Sequence, residues 1–409
     1  MELHTTTGNA SLDPMLLVLQ RLPKLRALAW SVTFQPSNMG VPLALLPGLT
    51  GLEISTGAGS RSDCVAVLTA LRALTALQSF TGHTDGMVLP FAVYPGQVTR
   101  LRLDLPWPHL TALHLSGTFT CFLPRMLPPS VRTLRLSRGK CISDSTLAEA
   151  LAAAPRPHLS TVELGGAVLQ ASDGGAEALG RAVASLPVLA SLALGCTPHV
   201  ESSWPAFAAA LAPGATAQLT SLSVHVPSDA VAAGVSQLLC HVPRLAKLSL
   251  TVNTCDSAMP LVRQLAELPM LGALRVSVLP LDSSRSIPDS RFELWDSGSE
   301  PLQDSHAARG LTRLEFLSSH DQPEDAVAEF AALAAALPTL RELRFDALAV
   351  SAAAAAALAE ALAACAQLTR LTVSVYDAVD GAAAAALARL RVALPSVSMD
   401  LPALQNWAV

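Results

Sequence analysis

The chain has 409 residues, 51% of them apolar and 14% charged, with a formal net charge of −5. That much apolar side chain excludes an intrinsically disordered polymer, and the slight acidic excess argues against a general nucleic-acid binder, which carries a basic surplus. Seven cysteines (64, 121, 141, 196, 240, 255 and 365) are scattered without a C-x-x-C pair, which fits reduced, mostly buried thiols in an intracellular chain.

The opening residues Met1 to Leu3 lack a basic region, and the apolar stretch Met15 to Leu19 runs into Gln20 and Arg21, so no signal peptide is expected. No run reaches the roughly 20 apolar residues of a membrane span: Ser202 to Ser228 is broken by Pro205, Pro213 and Pro227. Residues 1–24 are expected to form an N-terminal cap, with Met1 to Ala10 polar and frayed.

From Leu25 one phrase, L-x-x-L-x-L, recurs 14 times, starting at Leu25, Leu49, Leu74, Val98, Leu110, Val131, Leu159, Leu189, Leu219, Leu245, Leu271, Leu311, Leu340 and Leu368, with a degenerate copy near Val397. Most spacings are 24 to 30 residues; the exceptions are 12 after Val98, 21 after Leu110 and 40 after Leu271. The last two anchors of each phrase, as in Leu134 and Leu136 or Leu248 and Leu250, are two residues apart, which puts both on one face of a strand. Polar residues fill the alternate positions. Between 41 and 138 the connections are rich in proline and predict little helix. From Ser143 onward they predict helices, for instance over 327–337, 352–364 and 382–394, with Ser228, Asp325 and Asp380 as N-caps and Pro187, Pro243, Pro269, Pro338 and Pro395 as stops. A unit this small cannot bury its own apolar face, so the copies must stack. Strands sit about 4.8 Å apart and helices 8–10 Å, which predicts a curve with strands on its concave side.

On these copies the chain resembles a leucine-rich repeat protein of the ribonuclease-inhibitor-like class, in a degenerate, alanine-rich form. The resemblance implies an α/β solenoid, a horseshoe with a parallel concave sheet, convex helices and about 14–15 repeats over residues 25–409. The family places Asn or Cys three residues after the last strand leucine; here only Asn253 matches, against Gly57, Thr118, Gly139, Ala167, Thr197, Pro227 and Tyr376, which predicts looser loops. Similar alanine-rich chains of algae and flagellated protists imply a cytoplasmic protein of the cytoskeleton or ciliary axoneme. A long insertion, 279–310, carries Phe292, Leu294 and Trp295 between two serine-rich stretches; it is either a solvated loop or a partner-binding one.

The central outward position of each strand predicts the concave surface: Ala29, Glu53, Gln78, Arg102, His114, Arg135, Glu163, Ala193, Ser223, Ser249, Arg275, Glu315, Arg344 and Thr372. Two basic groups emerge, Arg100, Arg102, His114 and Arg135, and Arg275, Arg313, Arg344 and Arg370, the second interleaved with Glu315 and Glu342. Arginine suits partner recognition because its fork is planar and multidentate; the same groups also suit a merely solvated face. Cys196 with His199, and Cys240 with His241, lack a second pair, so no metal is expected, and Cys240 at the end of an apolar helix reads as core. His83 to Gly86 and Asp173 to Gly175 read as turns. No nucleophile elbow, P-loop or dinucleotide fingerprint is present, and no cofactor is implied. The expected function is a non-enzymatic scaffold, monomeric on its own, that binds a protein partner on its concave face and neither nucleic acid nor a membrane. The alternative is a regulator of an enzyme, such as a small GTPase activator or a ubiquitin-ligase substrate-recognition module.

Overall fold

The period-two anchors do form strands. A computed structural model describes residues 2–7, 21–22, 24–32, 46–56, 71–84, 107–116, 127–137, 142–165, 169–170, 174–195, 203–212, 218–252, 261, 268, 270–278, 311–318, 330, 334–335, 337, 339–347, 351–375, 381–394 and 397–400. The chain divides into two units, Met1–Ala215 and Thr216–Val409.

In the first unit the strands are β1 (Glu2–Thr7), β2 (Ala27–Val32), β3 (Gly51–Thr56), β4 (Ser79–Thr84), β5 (Ala112–Ser116), β6 (Thr133–Ser137), β7 (Ile142–Ser143), β8 (Thr161–Leu164), β9 (Leu169–Gln170) and β10 (Ser191–Leu194). All but β7 and β9 form one parallel sheet in sequence order, and those two pair separately, also in parallel. The opening residues, expected to fray, instead form β1, in register with β2 from Glu2↔Ala27 to Thr7↔Val32. Helices α1 (Asp144–Ala152), α2 (Gly175–Ala184) and α3 (Trp204–Leu211) pack in sequence, α2 against both neighbours. Among the described residues no α-helix precedes Asp144. Ser143 caps α1, its hydroxyl accepting from the Thr146 N–H at 3.2 Å.

The second unit repeats the scheme. Its parallel sheet runs β11 (Ser221–Val226), β12 (Lys247–Val252), β13 (Ala273–Val278), β14 (Arg313–Ser318), β15 (Glu342–Ala347), β16 (Arg370–Val375), β17 (Ser398–Asp400). The helices described over their full length are α4 (Asp229–Leu239), α5 (Ala352–Ala363) and α6 (Gly381–Ala393), with α5 packed on α6. Ser351 caps α5 through its hydroxyl, whereas Ser228, at the N-cap of α4, makes no such bond. The insertion 279–310 lies outside the described residues; the strands flanking it pair directly, Ala273 with Arg313. Each unit is an open α/β solenoid stack of leucine-rich-repeat type.

One turn and one carbonyl recur at the start of the strands. The N–H of the first anchor bonds the carbonyl three residues earlier, as in Leu49 to Leu46, Leu110 to Trp107, Leu245 to Val242 and Leu340 to Leu337. The next residue's carbonyl then accepts two N–H groups from the following repeat: Arg26 from Thr50 and Gly51, Thr50 from Gln78 and Ser79, Gln78 from Thr111 and Ala112. In the second unit Thr220, Ala246, Gly272, Thr312 and Arg341 do the same. Where that residue is Thr or Ser its hydroxyl adds a third bond, as from Thr50 to Arg26, Thr111 to Gln78, Ser160 to Arg132, Thr312 to Gly272 and Thr369 to Arg341, at 3.0–3.3 Å. The expected asparagine positions, Pro227 apart, lie outside the described residues. This hydroxyl series links the repeats at the opposite ends of the strands.

The residue three before the first anchor is buried and apolar in Leu46, Leu74, Trp107, Val242, Leu268, Leu337 and Cys365. Leu22 and Pro128 are half-buried there, and Arg156 is the one charged residue among those described. It is 6% exposed and donates to the carbonyls of Leu127 and Ala150 at 2.7 and 3.0 Å, with no ion pair to a described carboxylate. Burial pushes its pKa down.

In one repeat the sequence frame is three residues off. Leu74-x-x-Leu77 matches the phrase, but the strand anchor that pairs with Leu52 is Phe80. Leu71, Leu74 and Leu77 are all fully buried, linked by successive N–H bonds three residues back. Thr81, not Gln78, therefore holds the central outward position. Strand β4 pairs directly with β5, so no strand from the expected Val98 copy stands between them.

Two substitutions test the packing. Leu134 is fully buried between strands, so Leu134→Ala is expected to cost about 2–5 kcal/mol by urea denaturation, and the outward Thr133→Ala less than about 1 kcal/mol. A Cβ on Gly180 of α2 would lie 2.5 Å from the Phe207 carbonyl and 2.9 Å from Ala210 Cβ of α3. Gly180→Ala is expected to lose about 1–3 kcal/mol in the same assay, despite its better helix propensity.

Candidate functional site

The outward side chains form rows across each sheet, because strands in parallel register align equivalent positions. In the first unit the central row reads Ala29, Glu53, Thr81, His114, Arg135, Glu163 and Ala193. The row before it holds only Ala, Gly, Ser and Thr, from Ala27 to Ser191. Ser31, Ser55, His83, Ser116 and Ser137 follow on the other side. The described part of this face carries no large apolar side chain, so any recognition there works through hydrogen bonds and charge.

His114 and Arg135 are brought together on adjacent strands; Arg100 and Arg102 lie outside the described residues. Arg135 Nε is 2.9 Å from Glu163 Oε2. His114 Nε2 is 3.2 Å from Ser137 Oγ, and His83 Nδ1 hydrogen-bonds Ser116 Oγ. Burial, and then the positive charge of Arg135, hold the His114 pKa below its ordinary 6.5, with Glu163 pulling the other way. The group is thus less basic than its residue count suggests: one cation is paired and the imidazole is held less basic than a free one.

The second unit holds the other four arginines on neighbouring strands. Arg275 faces Glu315 on β14 at 3.7 Å. Arg313 reaches the same carboxylate at 2.9 Å through Nε, and Glu342 of β15 at 3.8 Å. Arg344 binds Asp346 two residues along β15, at 2.8 and 2.6 Å. Asp346 is 4% exposed, and its second oxygen has no hydrogen-bond partner. Arg370 stands beside Glu342 in register and is exposed, with no ion pair to a described residue. The interleaving read from sequence is therefore a linked network across three strands.

His83, Ser116 and Ser137 were not singled out from sequence. His83 reads as a turn from the Thr-Asp-Gly that follows it; it lies within β4 instead, one residue before its end. Starting the repeat at Leu77 places it two residues after the outward Thr81. Cys240 also differs from its expectation: it is exposed at the C-terminus of α4, its thiol 3.5 Å from the Ser236 carbonyl, while Cys365 is buried. Among the described residues no group of three His, Cys, Asp or Glu could hold a metal, and no helix is long and apolar enough to cross a membrane.

The His114 environment has a pH signature. A histidine whose folded pKa is depressed stabilises the fold fully above about 6.5 and loses that contribution as pH falls through the folded value. Acidification is expected to lower the urea midpoint, and His114→Gln to make the fall shallower. Arg135→Gln is expected to raise the His114 pKa in an NMR titration; an unchanged value means the guanidinium does not act on the ring.

No protein-family model and no curated protein matches the chain. Among solved structures it is similar to one titled "Crystal structure of Rad7 and Elc1 complex in yeast", at 15% sequence identity and a TM-score of 0.40, over 96% of this chain and 84% of that one.

Proposed function

We propose that the protein is a non-enzymatic scaffold that docks a protein partner on its sheet face, centred on the β13–β16 patch. The observation that carries this reading is the linked charge network of Arg275, Glu315, Arg313 and Glu342, with the Arg344–Asp346 pair beside it on β15. Exposed ion pairs contribute only about 0–1 kcal/mol each, and a buried carboxylate such as Asp346 costs desolvation, so stability gives little reason for six ionisable groups on one face. Docking gives a better one. An arginine already held by a carboxylate loses less side-chain freedom when a partner arrives, and immobilising a free one costs about 0.5–1.5 kcal/mol. Alternating charge also selects partners by register, since a shifted partner meets like charge. The rows of Ser, Thr, Ala and Gly in the first unit support the same reading, because small outward residues let a partner's backbone approach. Helices α4, α5 and α6, each followed by the next strand, support the ribonuclease-inhibitor-like class of repeat.

The test is proximity labelling in the native cell, comparing wild type with an Arg275→Glu/Arg344→Glu variant whose circular dichroism is unchanged. The expected outcome is a defined set of neighbours whose enrichment falls roughly tenfold or more in the variant. A set that persists undiminished overturns the reading.

A further inference from the structure

Among the described residues the ion-paired arginines of the strands are on the sheet face, and Arg21, Arg26 and Arg132, which have no such pair, lie in turns that lead into the strands. In the first unit every ionisable residue described in those turns is basic. Arg21, Lys24 and Arg26 precede β2, Arg72 precedes β4, His109 precedes β5, Arg132 precedes β6, and Arg156 and His158 precede β8; all but the buried Arg156 are exposed. No Asp or Glu is found among the described residues of these turns. The carboxylates of this unit lie elsewhere, for example Glu53 and Glu163 on the sheet face and Asp144, Glu149 and Glu177 on the helices. Arg21, Lys24, Arg26 and Arg132 make no ion pair with a described residue; Arg26 donates to the Gly48 carbonyl at 2.7 Å. This one-signed edge sits on a chain of net charge −5.

We infer that this turn edge is a docking surface, separate from the sheet face, for an extended acidic segment of a protein partner. Arg26 and Arg132 occupy the same repeat position, the one whose carbonyl feeds the next repeat. Strands β2 and β6 are separated by β3, β4 and β5, so their turns are about 19 Å apart at about 4.8 Å per strand. An extended chain rises about 3.3 Å per residue, so about six residues bridge the two basic positions. Between them Thr50 and Thr111 carry the hydroxyls of the inter-repeat series, and Gln78 an amide. The charges are too sparse for a nucleic acid, which presents a phosphate every 3.4 Å or so per strand. The edge also lacks the exposed aromatic and leucine side chains of a membrane-surface binder; Val188 is the one exposed large apolar residue described in this unit. An Asp- or Glu-rich peptide has the matching charge and reach. This inference does not depend on the sheet-face reading.

The test uses the full chain and fluorescein-labelled polyglutamate of about twelve residues, followed by anisotropy over a range of salt. Binding that weakens with salt, and falls about tenfold in Arg26→Glu/Arg132→Glu, is expected. A triglutamate of the same label is expected to bind much more weakly, since it reaches only one basic position. Arg181→Glu, an equal single charge change on α2 outside this edge, and Arg132→Glu alone separate position from net charge: the first is expected to leave binding within about twofold, the second to weaken it about threefold. Circular dichroism of each variant excludes unfolding. Four results overturn the inference: no binding of polyglutamate; an equal loss in Arg181→Glu; tighter binding of a single-stranded oligonucleotide of the same charge; or tighter binding to phosphatidylserine-containing vesicles. The last two reassign the edge to nucleic acid or membrane.

Discussion

A backbone carbonyl that accepts two N–H groups from the next repeat is the contact on which the rest of each unit depends. It lies one residue after the first leucine anchor, so it ties the inward turn of one repeat to the start of the following strand. Once that bond pair forms, the strand can enter the sheet in only one register, and in that register its alternate residues go to the core. The same contact closes again and again along each unit, from Arg26 to Ser160 and from Thr220 to Arg341. Threonine and serine at the same position reinforce it with a hydroxyl, whose bond is short in sequence pattern but long in chain separation. The order of the outward rows, and therefore of every charge on the sheet face, follows from it.

Given fixed rows, electrostatics separates two kinds of basic surface. On the sheet, carboxylates and guanidiniums stand within reach of one another on adjacent strands or two residues along one strand, so Arg135, Arg275, Arg313 and Arg344 each find a carboxylate. The turns that feed the strands are built from Pro, small residues and cations. Among the described residues Arg21, Lys24, Arg26 and Arg132 there meet no carboxylate within ion-pair reach, so a counter-charge arriving from outside meets less competition. A count of arginines makes the two surfaces look equivalent; the partners of each guanidinium distinguish them.

Most of the strand pattern was legible because two anchors at a spacing of two, repeated with a following helix, leave few alternatives. The misreadings have local causes. At Leu74 a buried leucine every third residue imitates the phrase, and only the polar Ser79 at the sixth position betrays the slip. Gln78 was placed outward for that reason, and His83 in a turn because Thr84, Asp85 and Gly86 follow it. The Val98 copy was credited although its distance of 12 residues to Leu110 is too short for a strand, turn and return. Arg156 and Cys240 show the limit of composition: a cation fills a core position where two carbonyls are aimed at it, and a thiol following an apolar helix faces outward because it falls past the last buried turn. The ion pairs of the second unit could be anticipated from register, but the depth of Asp346 could not, since its exposure is set by neighbours remote in sequence.

The bond that ties one repeat to the next is indifferent to how much chain lies between its two ends. Hydroxyls of Thr50, Thr111 and Thr312 reach back 24, 33 and 40 residues to close the same link. Length can therefore be added after a strand without disturbing the strands on either side, and each repeat is free to acquire or shed sequence on its own. A family of such chains would diverge fastest in the size of those connections while the short run around each leucine stayed constant. Grafted segments, whether inserted by evolution or by design, would be tolerated best at the same places.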